Sequence, residues 1–273
     1  MHNVNNLLGR LGLARLKKLS QILPKSRRTY QDAQDLAASK RKVIEKLLPS
    51  DFSWSWLYEL ELKQMLILNL AVMGLLDKVI QAYRAGLDMN QYFLEAATDD
   101  FEDDNDEEEW TGGHGGVYTE SDLLSTTHAV QNAMRCLGIY GHYLNDLVDE
   151  VRKGGKNADD AFFKAISIDR TVLTCTPFAS RHAKAEYFRE KHFLLRLRKA
   201  IKGKPHDALL VHQDLRSILQ LFYEMKILSE LTLDEADYLF IKELKLYQDG
   251  GKDPAHSLMR FIQRWKADKE SAT

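Results

Sequence analysis

Between Asp122 and Arg152 the chain carries His128, Arg135, His142, Asp146 and Asp149. At about 100° per residue these five fall on one side of a single helix. An imidazole, a guanidinium and two carboxylates within a few turns supply a base, a cation and carboxylates, enough for acid–base chemistry once a facing surface excludes water. Val130, Met134, Leu137, Leu144, Val148 and Val151 take the opposite side and predict the face that packs inward. His142, Asp146 and Asp149 also stand at i, i+4 and i+7, a spacing that could hold a cation. Glu59 and Glu61 cannot share a helical face, and the paired Glu-x-x-His motifs of a di-iron bundle are missing. No resident metal or other cofactor is expected.

Arg135 and His142 enclose six residues, and the pair resembles the Arg, four to six residues, His signature of HEPN-type all-α ribonucleases. The resemblance covers that pair alone, and Cys136 stands where the family commonly has a polar residue. It implies RNA cleavage with Arg135 and His142 in the active groove, and Asp146, on the same predicted helix face, is a further catalytic candidate.

A second group is cationic. Arg181, Lys184, Arg189, Lys191, Arg196, Arg198, Lys199, Lys202 and Lys204, against Glu186 and Glu190, give +7 within 24 residues. Clustered Lys and Arg neutralise phosphates, and Tyr187, Phe188, His192 and Phe193 could add stacking, so the segment predicts an anion-binding surface and nucleic acid as its partner. The competing expectation is a solvated helix whose aromatic side chains belong to the core. The sequence Leu215 to Tyr247 has the outline of a helix-turn-helix, but Asp234, Glu235, Asp237 and Glu243 outnumber Lys242 and Lys245, which favours packing over groove recognition. Phe52, Trp54, Trp56 and Tyr58 alternate ahead of an apolar stretch and predict either a core anchor or a patch for a protein partner. No Gly-rich phosphate loop, GxSxG elbow or HExxH appears.

The elements that must position these groups read as helical throughout. Apolar residues recur at three and four, no alternating run suggests a strand, and about ten helices in an all-α multi-helix bundle are expected. Thr29 with Asp32 predicts a helix start, and Pro49 a stop. Asp88 with Gln91 and Thr232 with Glu235 predict two more starts, and so do Thr176–Pro177 and Asp253–Pro254, where proline suits the first helical turn. One helix is expected from Ser121 to Gly154 and Gly155, and one from Pro177 to Gly203 and Pro205. Leu8, Leu11, Leu16, Leu19 and Leu23 recur at helical spacing among seven basic residues and no acidic one in residues 1–31. That pattern predicts a basic amphipathic helix packed on the body, with a transit peptide or a membrane-surface helix as alternatives.

The net charge of −2 conceals three blocks: +8 over residues 1–48, −16 over 49–150 and +6 over 151–273. Nine carboxylates in Asp99–Glu109, followed by Gly112, Gly113, Gly115 and Gly116, predict a mobile acidic loop over 99–120 between helical segments 1–98 and 121–273, which form either separate domains or one. The loop could shield the cationic helix, and salt would loosen it. Cys136 and Cys175 have no CxxC or zinc spacing, so a reducing, cytoplasmic setting with Cys136 as a core residue is expected. The longest apolar run, Met65–Leu76, is a dozen residues, short of the ~20 a bilayer span needs. These expectations combine into a non-enzymatic binding or regulatory protein, with ribonuclease activity and peripheral membrane attachment as alternatives.

Overall fold

The computed structural model describes residues 2–9, 11–39, 54–89, 91–93, 95, 116–203, 207–248 and 252–272. Residues 99–115 of the expected acidic loop, Lys204, Phe52 and the Pro49 stop fall outside the described residues, whereas at its far end Thr119 caps a helix that starts at Glu120. Among the described residues lie thirteen α-helices, two 3-10 turns, one π-helical segment and no strand, so the protein is an all-α multi-helix bundle. The chain divides into two compact units that alternate along it. One comprises residues 1–36, 78–109 and 212–273, the other 37–77 and 110–211.

The first unit holds α1 (His2–Leu8), most of α2 (Leu13–Ser39), α11 (Gln213–Glu224), α12 (Leu233–Ala236), a π-helical turn (Asp237–Glu243) and α13 (Pro254–Ala272). Leu8, Leu11 and Leu16 are fully buried and join Leu215, Phe222, Phe240 and Leu258 in one core. Each such side chain contributes roughly 1.5–3 kcal/mol relative to exposure. The leucines that a membrane-surface helix would have to insert are therefore already covered by protein. The basic residues of α2 find acids within the unit: Arg15 meets Glu95 at 2.9 Å, Lys17 meets Glu243 at 2.5 Å, and Arg27 pairs with Asp214.

The predicted start at Thr29 is corrected. α2 runs unbroken through Thr29 and even past Pro24. A capping pair starts a helix only where the preceding backbone leaves the helix, and here that backbone is already helical. The Thr232–Glu235 start is as expected: Thr232 N donates to Glu235 Oε2 at 2.9 Å and Glu235 N to Thr232 Oγ1 at 3.3 Å. The helix-turn-helix outline resolves into core packing, with Leu215, Phe222, Leu239, Phe240 and Tyr247 all buried.

The second unit holds a 3-10 turn (Ser55–Glu59), α3 (Leu62–Val72), α5 (Glu120–Tyr140), α6 (Leu144–Lys153), α7 (Ala158–Ile168), a second 3-10 turn (Arg170–Thr174), α8 (Thr176–Tyr187), α9 (Lys191–Lys202) and α10 (Asp207–Leu210), while α4 (Leu76–Arg84) falls at the boundary of the two. Its core is aromatic at the centre. Phe162 stacks on Phe178 with ring centroids 4.7 Å apart, and Phe193 approaches Phe162 and Phe163 at 5.0 Å each. Cys136 and Cys175 are buried free thiols in the same core.

Two long helices expected from the sequence are each broken. The first stops at Gly141, whose φ of 78° is left-handed and whose N–H closes on the Leu137 carbonyl at 2.8 Å. Glycine reaches that conformation without a Cβ clash, and Gly154, also at positive φ, then ends α6 where a stop was expected. The second stops at Phe188 and Arg189, where Arg189 takes a φ of 52° and Glu190 N donates to the Ala185 carbonyl at 2.9 Å. This closure needs a left-handed residue, and an arginine fills the role.

Candidate nucleic-acid interface

The break at Arg189 turns the cationic segment into two helices joined by a tight turn, with Phe178 of α8 and Phe193 and Leu197 of α9 anchored in the core. On α9 the inward side is Phe193, Leu194, Leu197, Ala200 and Ile201. Lys191, Arg198 and Lys202 lie within ~40° of one another on the outward side, and the axial distance from Lys191 to Lys202 is about 16 Å. Lys199 and Arg196 extend this surface around the helix, and α9 contains no acidic residue. The strip is therefore uniformly positive.

The eight sequence-predicted anion-binding residues separate into three kinds. Arg181 is neutralised: it donates to Asp159 at 2.7 Å and Glu190 at 2.7 Å, and its guanidinium lies 3.9 Å from the centre of the Phe193 ring. The Asp159 hydrogen bond, followed by that to Glu190, raises its pKa and outweighs burial. This arginine holds α8 to α7 and the start of α9. Arg196 lies 4.3 Å from the centre of the Phe163 ring, so its aliphatic stem is fixed while its residue stays exposed. Lys184, Arg189, Lys191, Arg198, Lys199 and Lys202 are exposed and form no ion pair or side-chain hydrogen bond among the described residues.

The aromatics divide as well. Phe193 belongs to the core. Tyr187 is 81% exposed and Phe188 64% exposed, and the two rings meet edge to face at 5.0 Å on the turn between the helices. An exposed aromatic pair on the turn between two cation-bearing helices is a feature that core packing does not require.

The N-terminus of α8 offers no competing anion site. Its Thr176 N–H donates to Glu59 Oε1 at 2.8 Å, and Arg152 pairs with Glu59 and with Asp149.

The predicted acid–base face is not continuous. Arg135 lies on α5, His142 sits in the turn after Gly141, and Asp146 lies in the first turn of α6, where it accepts from the Tyr143 N–H at 3.1 Å. The rotation at Gly141 separates the register of Arg135 from that of Asp146, so the single-helix arrangement inferred from spacing is replaced by a helix, a turn and a helix cap. His142 is likewise outside the helix that bears Asp146 and Asp149. Among the described residues no group of three or more His, Cys, Asp or Glu side chains is placed to hold a metal ion.

The unit does contain a polar cluster that spacing alone did not reveal. Asp169 Oδ2 accepts from Tyr58 Oη at 2.7 Å, Trp54 Nε1 at 3.0 Å and Asn132 Nδ2 at 3.1 Å, while Oδ1 accepts from the Thr171 N–H at 2.9 Å. Asn132 Nδ2 also donates toward His128 Nε2 at 3.0 Å and Tyr58 Oη at 3.0 Å, so two amide hydrogens serve three acceptors. As an acceptor, His128 Nε2 is unprotonated, and burial lowers the His128 pKa, opposed by Asp169 and aided by Arg135.

The Asp169 carboxylate has its acceptor sites filled by four donors. It is equipped to lock the first 3-10 turn, α5 and the second 3-10 turn together rather than to handle a substrate. The local signal for it was Asp169 capping Thr171; its partners 37 to 115 residues away had no signal. Trp54 and Tyr58 thus act as core anchors through their polar tips, whereas Trp56 is exposed.

No protein-family model, curated protein or solved structure matches the chain. No single helix among the described residues is long and apolar enough to cross a membrane.

Proposed function

We propose that the protein is a non-enzymatic polyanion-binding protein whose cationic α8–α9 surface contacts nucleic acid. The observation that supports this reading is the set of six exposed cations that form no ion pair among the described residues, Lys184, Arg189, Lys191, Arg198, Lys199 and Lys202, four of them on α9, together with the exposed Tyr187–Phe188 pair. Phosphate neutralisation provides affinity, and the rings provide a surface for bases. Asp99–Glu109 acts as an internal competitor for the same cations, by charge alone.

The test is binding of labelled oligonucleotides across a salt series. Six phosphate contacts give a slope of log affinity against log salt of about −4 to −5, a loss of roughly 300-fold or more between 50 and 200 mM. Reversing Lys191, Arg198 and Lys202 to Glu abolishes binding, and deleting Asp99–Glu109 strengthens it. No affinity at low salt, even after that deletion, refutes the reading. Cleavage of the RNA probe that is lost in His142→Ala would instead support the ribonuclease alternative.

A further inference from the structure

Resting on that reading, we infer that the nucleic acid bound by the α8–α9 surface is single-stranded, with its phosphates along the outward side of α9 and unpaired bases stacked on Tyr187 and Phe188. Three features of the surface lead there. The rings are at the tip of a turn: Tyr187 is the last residue of α8 and Phe188 the next, and the left-handed Arg189 reverses the chain immediately afterwards. A tip presents ring faces and edges outward, where an unstacked base can lie against them. In a duplex the base faces are covered by their neighbours, and only edges are open in the grooves. Stacking rings beside a cationic track is the arrangement that single strands reward, because every base has a π-face.

The second feature is what α9 lacks. A helix lying in a membrane surface keeps an apolar stripe along its length for the acyl region. The apolar stripe of α9 is buried in the core through Phe193 and Leu197, and Leu195 is the large apolar residue left on its outer side, flanked by Arg198, Lys199 and Lys191. The ligand meets charge along the helix and rings at one end. The third feature is strain. Arg189 is held at φ 52°, a conformation that costs a non-glycine residue, and the residue kept there is an exposed cation next in sequence to Phe188. A glycine would close the same turn with less strain and no charge.

The experiment uses the full chain with three probes: a labelled pyrimidine single strand, the same sequence as a duplex, and vesicles rich in anionic phosphatidylserine. The single strand is expected to bind at least 10-fold tighter than the duplex at equal salt. Tyr187→Ala with Phe188→Ala, both at exposed positions, weakens single-strand binding by about 5-fold or more and leaves duplex binding within 2-fold, whereas Tyr187→Phe restores stacking and affinity. Equal or tighter duplex binding, or a double variant that binds the single strand like the parent, overturns this inference while leaving polyanion binding intact. Vesicle binding without oligonucleotide binding overturns both this inference and the proposed function. Failure of all three probes at low salt overturns the proposed function itself.

Discussion

Replacing Asp169 by alanine removes the acceptor around which the second unit's polar cluster is organised. Tyr58 is 1% exposed, so its phenol cannot recover the lost bond from water, whereas the Asn132 amide keeps His128 and Tyr58 as acceptors. An orphaned buried donor such as this phenol costs about 1–3 kcal/mol. The second 3-10 turn also loses the Asp169–Thr171 cap, worth about 1 kcal/mol. The Trp54 indole is only half-buried and can be hydrated, so it adds little. The expected loss is about 2–4 kcal/mol, a large fraction of a domain's stability. Asp169→Asn keeps one carbonyl oxygen to receive the buried donors and should cost clearly less, about 1–2 kcal/mol. Urea unfolding followed by far-UV circular dichroism and tryptophan fluorescence measures both. A loss below about 1 kcal/mol for alanine, or equal losses for the two variants, would show that the cluster is not an energetic pin.

Three further outcomes follow from named groups. His128 has a folded-state pKa below its usual ~6.5, so below that pH the unfolded chain takes a proton the native state refuses; stability therefore rises with pH through the window beneath ~6.5. His128→Gln flattens the slope of urea midpoint against pH there, and an unchanged slope contradicts the assignment. Burial pushes the Cys175 thiol up to about 12 and Cys136 is fully buried, so iodoacetamide at about pH 8 should label neither cysteine until the chain unfolds; labelling at the rate of a free thiol refutes this. Arg181→Ala removes the bridge to Asp159 and Glu190 and the contact with Phe193, lowering stability by about 1–3 kcal/mol, while Lys202→Ala leaves stability within about 0.5 kcal/mol and weakens polyanion binding; the reverse pattern would mean that the two cations have exchanged roles.

What spacing and residue type settled was local. Thr232 with Glu235, Asp88 with Gln91 and Asp253 before Pro254 each began a helical turn as read, because a cap is satisfied within three or four residues and needs no partner elsewhere. The apolar periodicity specified helix everywhere for the same reason, and the leucines of the basic N-terminal stretch specified their own burial. Tertiary structure decided where helices end when the stopping residue is ambiguous. Gly141 and Arg189 break the chain inside each expected helix, while Gly154 and Gly203 cap α6 and α9 where an end was expected.

The candidate surface was legible as charge, since nine basic residues in 24 can be counted, but its division was not. Arg181 turned inward to Asp159 and Glu190, Phe193 went to the core, and Tyr187 and Phe188 stayed outside, each according to its side of a helix whose register starts again after the turn at Arg189. The Asp169 cluster was invisible for a stronger reason. Its members come from positions 54, 58, 128, 132 and 169, and hydrogen bonds between residues so far apart exist only once packing has brought them within 3 Å of one another. Local chemistry chose the helices; burial and long-range polar satisfaction chose which of their side chains are left exposed.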